Sequence, residues 1–306
     1  MNIQYLTYQE IDFTKWDFCI AQSSNKLIYV ESNYLNKIAT NWDAIVLNDY
    51  DAVMPLIWRK KMGIRYLYQP AFLQQAGIYS KYNLTEEITE AFISLASTHF
   101  KFAEISINYA NIPSDENGFY QKKINSNYLI DLNRNYEAIT SSKYLKERIT
   151  RATKFNLQYV ISYDVTKCIK TYKKLYGEKL SSLEKNDYKN FEQLCIDLQK
   201  ENRVIIREVY NQEGNELLAT ALFLKDENRM YNLASSIFPN GRTCLANYFL
   251  FDSLIKEFVH QPLIIDLEGS DLPGVDFFYK KLASENQPYY SIKWNNLPKI
   301  IQLIKP

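Results

Sequence analysis

Apolar and β-branched runs alternate with short polar breaks through residues 44–70, AIVLNDYDAVMPLIWRKKMGIRYLYQP, and again through 204–235, VIIREVYNQEGNELLATALFLKDENRMYNLAS. Each stretch breaks twice at turn-forming residues. The first breaks at Asn48–Asp49 and at Lys61–Met62–Gly63, the second at Glu213–Gly214–Asn215 and at Asp226–Glu227–Asn228. Apolar runs bounded in this way predict strand, turn, strand, turn, strand. A helical period follows each meander. Ile88, Phe92 and Leu95 fall at i, i+4 and i+7, with Asn83 and Glu86 resembling a capping box. Tyr248, Phe251, Leu254, Ile255 and Phe258 mark a helix over 244–258. A short strand is then predicted in both places, at 104–108 and 263–266.

The two series share a further match. Phe119–Tyr120–Gln121–Lys122–Lys123 stands beside Phe278–Tyr279–Lys280–Lys281, and each precedes a last predicted strand, 128–132 and 289–294. The offset stays near about 160 residues throughout, so the chain reads as one α/β unit written twice. The fold class is α/β (α+β), two domains of the same kind, each a mixed, mostly antiparallel sheet flanked by helices. The division expected is 1–135, a connecting helix within 136–160, and 161–306. Tyr144, Leu145, Ile149 and Ala152 form the apolar side of that connecting helix. Two more helices open the second copy, one carrying Ile169, Tyr172 and Leu175, the other Phe191, Leu194, Cys195 and Leu198.

Composition narrows the chemistry. Among 306 residues, 36 Lys and Arg face 35 Asp and Glu, a net charge of +1 that argues against electrostatically driven DNA binding. Only 8 glycines are present, and neither G-x-x-x-x-G-K-[ST] nor G-x-G-x-x-G occurs. With His99 and His260 as the two histidines, and Cys19, Cys168, Cys195 and Cys244 in no C-x-x-C pair, a histidine or cysteine metal site is not expected. The cysteines read as reduced, buried thiols. The first ten residues lack a basic segment followed by an apolar run, and no stretch approaches about 18 apolar residues. No membrane span and a cytoplasmic location are therefore expected.

Two motifs carry a family resemblance. Pro239–Asn240–Gly241–Arg242–Thr243–Cys244–Leu245–Ala246–Asn247 lies between the last meander strand and the long helix, and Gly274–Val275–Asp276–Phe277–Phe278–Tyr279–Lys280–Lys281–Leu282–Ala283 follows the short strand. In this order the second copy resembles the GNAT acyltransferases. The resemblance implies an acyl-CoA donor such as acetyl-CoA, its pyrophosphate held by Asn240, Gly241, Arg242, Thr243 and Asn247 at a helix start. It implies Tyr279 as the acid that protonates the leaving thiolate. The doubling, with Asp266–Leu267–Glu268–Gly269–Ser270 and Pro273–Gly274, resembles the Fem peptidyltransferases and other double-GNAT proteins of bacteria, which implies aminoacyl-tRNA as a further donor and cell-wall precursors as acceptors. The chain departs from these patterns in carrying Gly241 as the loop's one glycine, Ala283 after the tyrosine motif, and one helix with no long arm over 183–202.

Other candidates follow from position. Glu268 and Asp266 end a strand, where ligands gather in open α/β sheets, and a carboxylate there can take the proton of an attacking amine; the structural alternative is a turn residue bonding local N–H groups. Glu208, on the first strand of the second meander, is a further base candidate. Gln69 and Gln74, with Trp58, Tyr68, Pro70 and Gln75, are expected to line an acceptor pocket between the copies, or else to close a bent strand end. Lys280 or Lys281 meets substrate phosphates by the Fem resemblance. Lys143, Lys146, Arg151 and Lys154 form either an anion-facing row or a solvated helix face. The reading reached is an acyltransferase moving an acyl or aminoacyl group from a CoA-type donor to an amine on a small molecule or cell-wall precursor. The alternatives are an inactive binding module of the same fold and a tRNA-dependent peptidyltransferase.

Overall fold

The computed structural model describes residues 2–114, 118–178, 180, 183–269 and 273–298. Contacts group the chain into two units, Met1–Asn125 with Pro288–Pro306, and Ser126–Gln287.

The first unit runs β1 (Ile3–Leu6), α1 (Phe13–Gln22), α2 (Ser32–Ile38), β2 (Trp42–Leu47), β3 (Ala52–Lys61), β4 (Ile64–Tyr68), β5 (Tyr79–Ser80), α3 (Glu86–His99), β6 (Phe102–Ile107) and β7 (Gln121–Asn125). The predicted meander is β2, β3 and β4. Helix α3 starts at Thr85, not at Asn83: the Thr85 hydroxyl accepts the Ile88 N–H at 3.3 Å, which fixes the cap two residues on. Its apolar side, Phe92, Ile93 and Ala96, packs with Ile45, Met54, Leu56, Leu67 and Ile105 of the sheet.

The second unit runs β8 (Tyr128–Asp131), α4 (Tyr136–Ile139), α5 (Lys143–Ala152), β9 (Gln158–Ser162), α6 (Val165–Tyr176), α7 (Lys185–Lys200), β10 (Val204–Tyr210), β11 (Leu217–Lys225), β12 (Arg229–Ile237), α8 (Pro239–Thr243), α9 (Ala246–Phe258), β13 (Ile264–Asp266), α10 (Pro273–Leu282) and β14 (Glu285–Asn286). The connecting helix is α5, with Leu145, Ile149 and Ala152 buried as its spacing requires. Strand β15 (Tyr289–Asn295) then returns to the first unit.

Both sheets are mixed and mostly antiparallel. Their orders are β1-β2-β3-β4-β6-β15-β7, with β5 on β3, and β14-β8-β13-β12-β11-β10-β9. The parallel pairs are β4 with β6 and β12 with β13. The last strands are exchanged relative to the sequence division at 135 and 161. β8 pairs β13 in the second unit's sheet, and β15 lies between β6 and β7 in the first unit's sheet. Alternation specifies a strand and its buried side, not the strand it will pair with. The matched Phe–Tyr pairs also differ in setting. Tyr279 lies within α10, whereas Tyr120 immediately precedes β7, and its hydroxyl donates to Glu90 at 2.5 Å.

Candidate functional site

The second unit's sheet opens between its two parallel strands. β12 and β13 are in register from Arg229 with Ile264 to Tyr231 with Asp266; there β13 ends, while β12 continues to Ile237. Where they part, β12 is bulged. Leu222 opposes Ala234 and Phe223 opposes Asn232, so Leu233 is the extra residue. A bulge withdraws backbone groups from the ladder and makes them available to something else.

Side chains from three elements meet at this opening. Asn232 on β12 donates from Nδ2 to the Tyr279 hydroxyl of α10 at 3.0 Å, and its Oδ1 accepts from Ser235. On α6, Tyr172 and Tyr176 lie with ring centroids 5.5 Å apart, and the Tyr176 hydroxyl accepts the Ile237 N–H at 3.3 Å. Beyond the end of β13, Glu268 takes a left-handed φ of 65°, a strained conformation for a residue bearing a Cβ. Its N–H donates to Asp266 Oδ1 at 2.9 Å and its carbonyl accepts from Tyr128 N–H. Burial pushes the Tyr279 phenol well above its ordinary pKa, and the nearby Tyr172, Glu268 and Tyr176 add to the shift. Burial raises Tyr172 likewise, with Tyr188, Tyr176 and Glu268 contributing. Both phenols therefore keep their protons across the physiological range. Because Asn232 donates to the Tyr279 oxygen, the phenol's own hydrogen is left to be given elsewhere.

Glu268 thus follows the strand end beside the opening, and its charge helps raise the Tyr279 phenol. The other two carboxylates are engaged by other partners. Asp266 is fully buried; it accepts from Arg229 at 2.7 Å and from Asn127 at 3.2 Å, besides the Glu268 N–H, so its oxygens hold the strand end in shape. Glu208 sits two strands away on β10 and accepts from Lys167 at 2.9 Å and from Tyr210 at 2.6 Å. Neither is placed to take a proton at the gap.

Residues 239–243 form a helical turn rather than an open loop. Arg242 N–H donates to Phe238 O at 3.0 Å and Cys244 N–H to Asn240 O at 3.2 Å. Gly241 is explained by packing: a Cβ there would lie 2.1 Å from Leu218 O. The Asn240 side chain turns away to Glu216, at 2.7 Å. Arg242 and Thr243 are exposed, and Asn247 is half-buried in the first turn of α9. That helix opens on Leu245, at φ 60° and with no side-chain cap, so its first N–H groups are not consumed by one. Cys244 is buried and its thiol is raised by that burial, which removes it as a nucleophile.

In the first unit the corresponding gap is stitched by the chain itself. β4 and β6 pair from Leu67 with Ala103 to Tyr68 with Glu104, and Ala76 then bridges Ile107. Between these points Gln69 accepts the Ser106 N–H at 2.8 Å through Oε1 and donates to Leu73 O. Gln75 accepts the Tyr109 N–H at 2.8 Å and donates to Gln74 at 2.8 Å. The glutamines replace missing ladder partners. Trp58 lies on β3 under the Arg65 guanidinium, 5.2 Å from its ring. Lys280 is exposed on α10, and Lys143, Lys146, Arg151 and Lys154 are exposed on and just beyond α5, Arg151 meeting Glu147 at 3.9 Å. The sequence reading missed Asn232, Ser235 and Tyr176. Tyr172 and Tyr176 are visible as an i, i+4 pair, but nothing in the sequence marks the bulge.

No protein-family model and no curated protein sequence matches this chain. Solved structures do. The crystal structure of FemX aligns over 100% of both chains at a TM-score of 0.68 and 13% identity. The tandem GNAT protein from the clavulanic acid biosynthesis pathway aligns over 97% of this chain and 100% of its own, at 0.55 and 8%. L-PGS from Bacillus licheniformis aligns over 86% and 87%, at 0.52 and 11%. At such identities the likeness is one of fold, and that fold is a tandem GNAT.

Proposed function

We propose, from this tandem GNAT fold, that the chain is an N-acyltransferase whose working site is the opening between β12 and β13. It moves an acyl or aminoacyl group from a CoA-type donor to an amine. The observation that carries the reading is the Asn232–Tyr279 hydrogen bond where a bulged β12 leaves its parallel partner, with Glu268 just beyond the end of that partner strand.

The residues divide the work. Glu268, directly or through a water, takes the proton of the attacking amine as the C–N bond forms. Backbone N–H groups freed by the bulge at Leu233 stabilise the oxyanion. Tyr279 gives its proton to the leaving sulfur as the C–S bond breaks, and recovers one from solvent or from protonated Glu268. Its raised pKa keeps it in the donating form, with Asn232 fixing its oxygen. The uncapped start of α9, at Ala246 and Asn247 beside Arg242 and Thr243, suits a pyrophosphate. In the first unit the equivalent gap is filled by Gln69 and Gln75, which supports a single donor site, in the second unit. With Gln69 and Gln74 engaged inside the first unit, Lys280, exposed on α10, remains for the acceptor, a small molecule or a cell-wall precursor. The FemX likeness favours one second reading, in which the donor is an aminoacyl-tRNA ester.

Thermal-shift titration with acetyl-CoA and longer acyl-CoAs tests the donor. A ligand at about 100 times its Kd adds roughly 2.7 kcal/mol to stability, and charge reversal at the exposed Arg242 (Arg242→Glu) should abolish the shift without harming the fold. A shift with no acyl-CoA, but with an aminoacyl-tRNA, moves the donor to the second reading. No shift with either sinks acyl transfer.

A further inference from the structure

Three residues form a row across the side of the second unit's sheet that α6 covers. Glu208 on β10 opposes Thr220 on β11, and Thr220 opposes Ser236 on β12. Cys168 of α6 closes the row, its Sγ 3.4 Å from Thr220 Oγ1 and 4.0 Å from Ala234 O. All four are buried: Glu208 is 3% exposed, Thr220 1%, Ser236 4% and Cys168 0%. Yet Glu208 Oε1 and Ser236 Oγ meet no hydrogen-bond partner among the described residues. Leaving a buried donor or acceptor unsatisfied is costly, more so for a charged group. Two such atoms in one row, with a hydroxyl between them that meets a thiol, mark a place where something polar belongs. Opposed residues on adjacent strands lie about 5 Å apart, so the row is about 10 Å long. A buried water needs two to four polar partners, and the Glu208 carboxylate with the Thr220 and Ser236 hydroxyls offers them along this row.

The row has two ends. At the β10 end, Glu208 Oε2 accepts from Lys167 Nζ and the Tyr210 hydroxyl, and Lys167 is 41% exposed at the rim of a hollow of ≈ 330 Å³. At the β12 end, Ser236 adjoins Ile237, whose N–H meets Tyr176 at the opening already described.

We propose that Glu208, Thr220 and Ser236 hold a row of ordered waters beneath α6 that passes protons between the β12–β13 opening and solvent at Lys167. A proton entering at Ser236 is relayed through water and the Thr220 hydroxyl to the Glu208 carboxylate. Glu208 releases it to water beside Lys167, so the row ends each passage unchanged. Its use during turnover rests on the acyl-transfer reading; the row itself does not.

The test uses the full chain. A high-resolution crystal structure should show water within hydrogen-bond distance of Glu208 Oε1 and Ser236 Oγ, and a dry row overturns the proposal. The Cys168 thiol, which burial pushes up to about 12 and so keeps protonated, reports on the row without any assay of activity. Its S–H infrared band, assigned by difference from Cys168→Ala, should exchange in D2O at least ten-fold faster in the parent chain than in Thr220→Val. Equal rates overturn the proposal, and Ser236→Ala serves where Thr220→Val fails to fold. Once transfer is measured, Thr220→Val should lower kcat several-fold, leave KM unchanged and enlarge the solvent isotope effect; an unchanged kcat overturns the proton passage. Failure to find any turnover counts against acyl transfer alone, because density and exchange still decide the row.

Discussion

Gly241→Ala separates a glycine kept for packing from one kept for a ligand. The added Cβ would lie 2.1 Å from Leu218 O and 2.9 Å from Leu218 C, well inside van der Waals contact. That oxygen cannot simply retreat, because it accepts the Phe238 N–H at 3.0 Å and so ties β11 to the start of α8. Overpacking of this kind costs about 1–3 kcal/mol, and weakening the hydrogen bond adds about 0.5–1.5 kcal/mol. A loss of roughly 2–4 kcal/mol follows, or about 4–16 °C in Tm at about 2–4 °C per kcal/mol for a domain this size. Gly274→Ala is the internal control. Nothing lies within 4 Å of its added Cβ, and alanine suits a helix better by up to about 1 kcal/mol. Urea unfolding of the two variants beside the parent chain gives the answer. A Gly241→Ala chain that keeps the parent midpoint while losing acyl-CoA binding would refute the packing argument and return this glycine to the ligand.

Breaking the buried Arg229–Asp266 pair by Asp266→Asn should cost about 3–5 kcal/mol in urea unfolding, since Arg229 is then left buried without its carboxylate; a change under about 1 kcal/mol would show that the strand end does not depend on it. Tyr279→Phe should lower kcat by about 10²-fold or more with KM little changed, and a chain that turns over normally without the phenol has another acid. Burial opposes ionisation of Glu257, but hydrogen bonds from Arg207 and Tyr159 outweigh it and hold the carboxyl below the usual glutamate value. A depressed carboxylate stabilises the fold above its unfolded pKa and loses that contribution as pH falls through the folded value. The stability gap between the parent chain and Arg207→Met should therefore be full near neutrality and close below about pH 4; a gap constant down to pH 2 would contradict the pairing. Cys19 and Cys168, their thiols raised by burial to about 11 and about 12, should resist a thiol reagent at pH 8 until denaturant is added.

The elements were legible where the signal is local. The meanders announce themselves by apolar and β-branched runs between turn residues, and α5 by Leu145, Ile149 and Ala152. Tyr279 and Glu268 were singled out through motif position; Tyr279 bonds Asn232 beside the bulge, and Glu268 follows the end of β13. What escaped depends on non-local geometry. Nothing in 217–237 says that Leu233 bulges, so Asn232 and Ser235 look like ordinary strand residues. Gly241 invites a ligand reading because sequence cannot show Leu218 O beneath it. Glu208 and Asp266 have the chemistry of a base but are engaged by Lys167 and Arg229, partners 41 and 37 positions away.

The traded last strands bear on how the protein is made. Ser106 on β6 and Ser291 on β15 share a hydrogen bond, although they stand 185 positions apart. On a ribosome, the first unit's sheet must wait with the β15 place between β6 and β7 unfilled while the whole second unit is synthesised. The second unit needs no such delay, since β8 is already in hand. The half written first is therefore finished last, and throughout that interval its β6 edge is open to mispairing or to a chaperone. A gene cut between the two written copies would strand β8 on the wrong fragment and leave neither half with its full sheet.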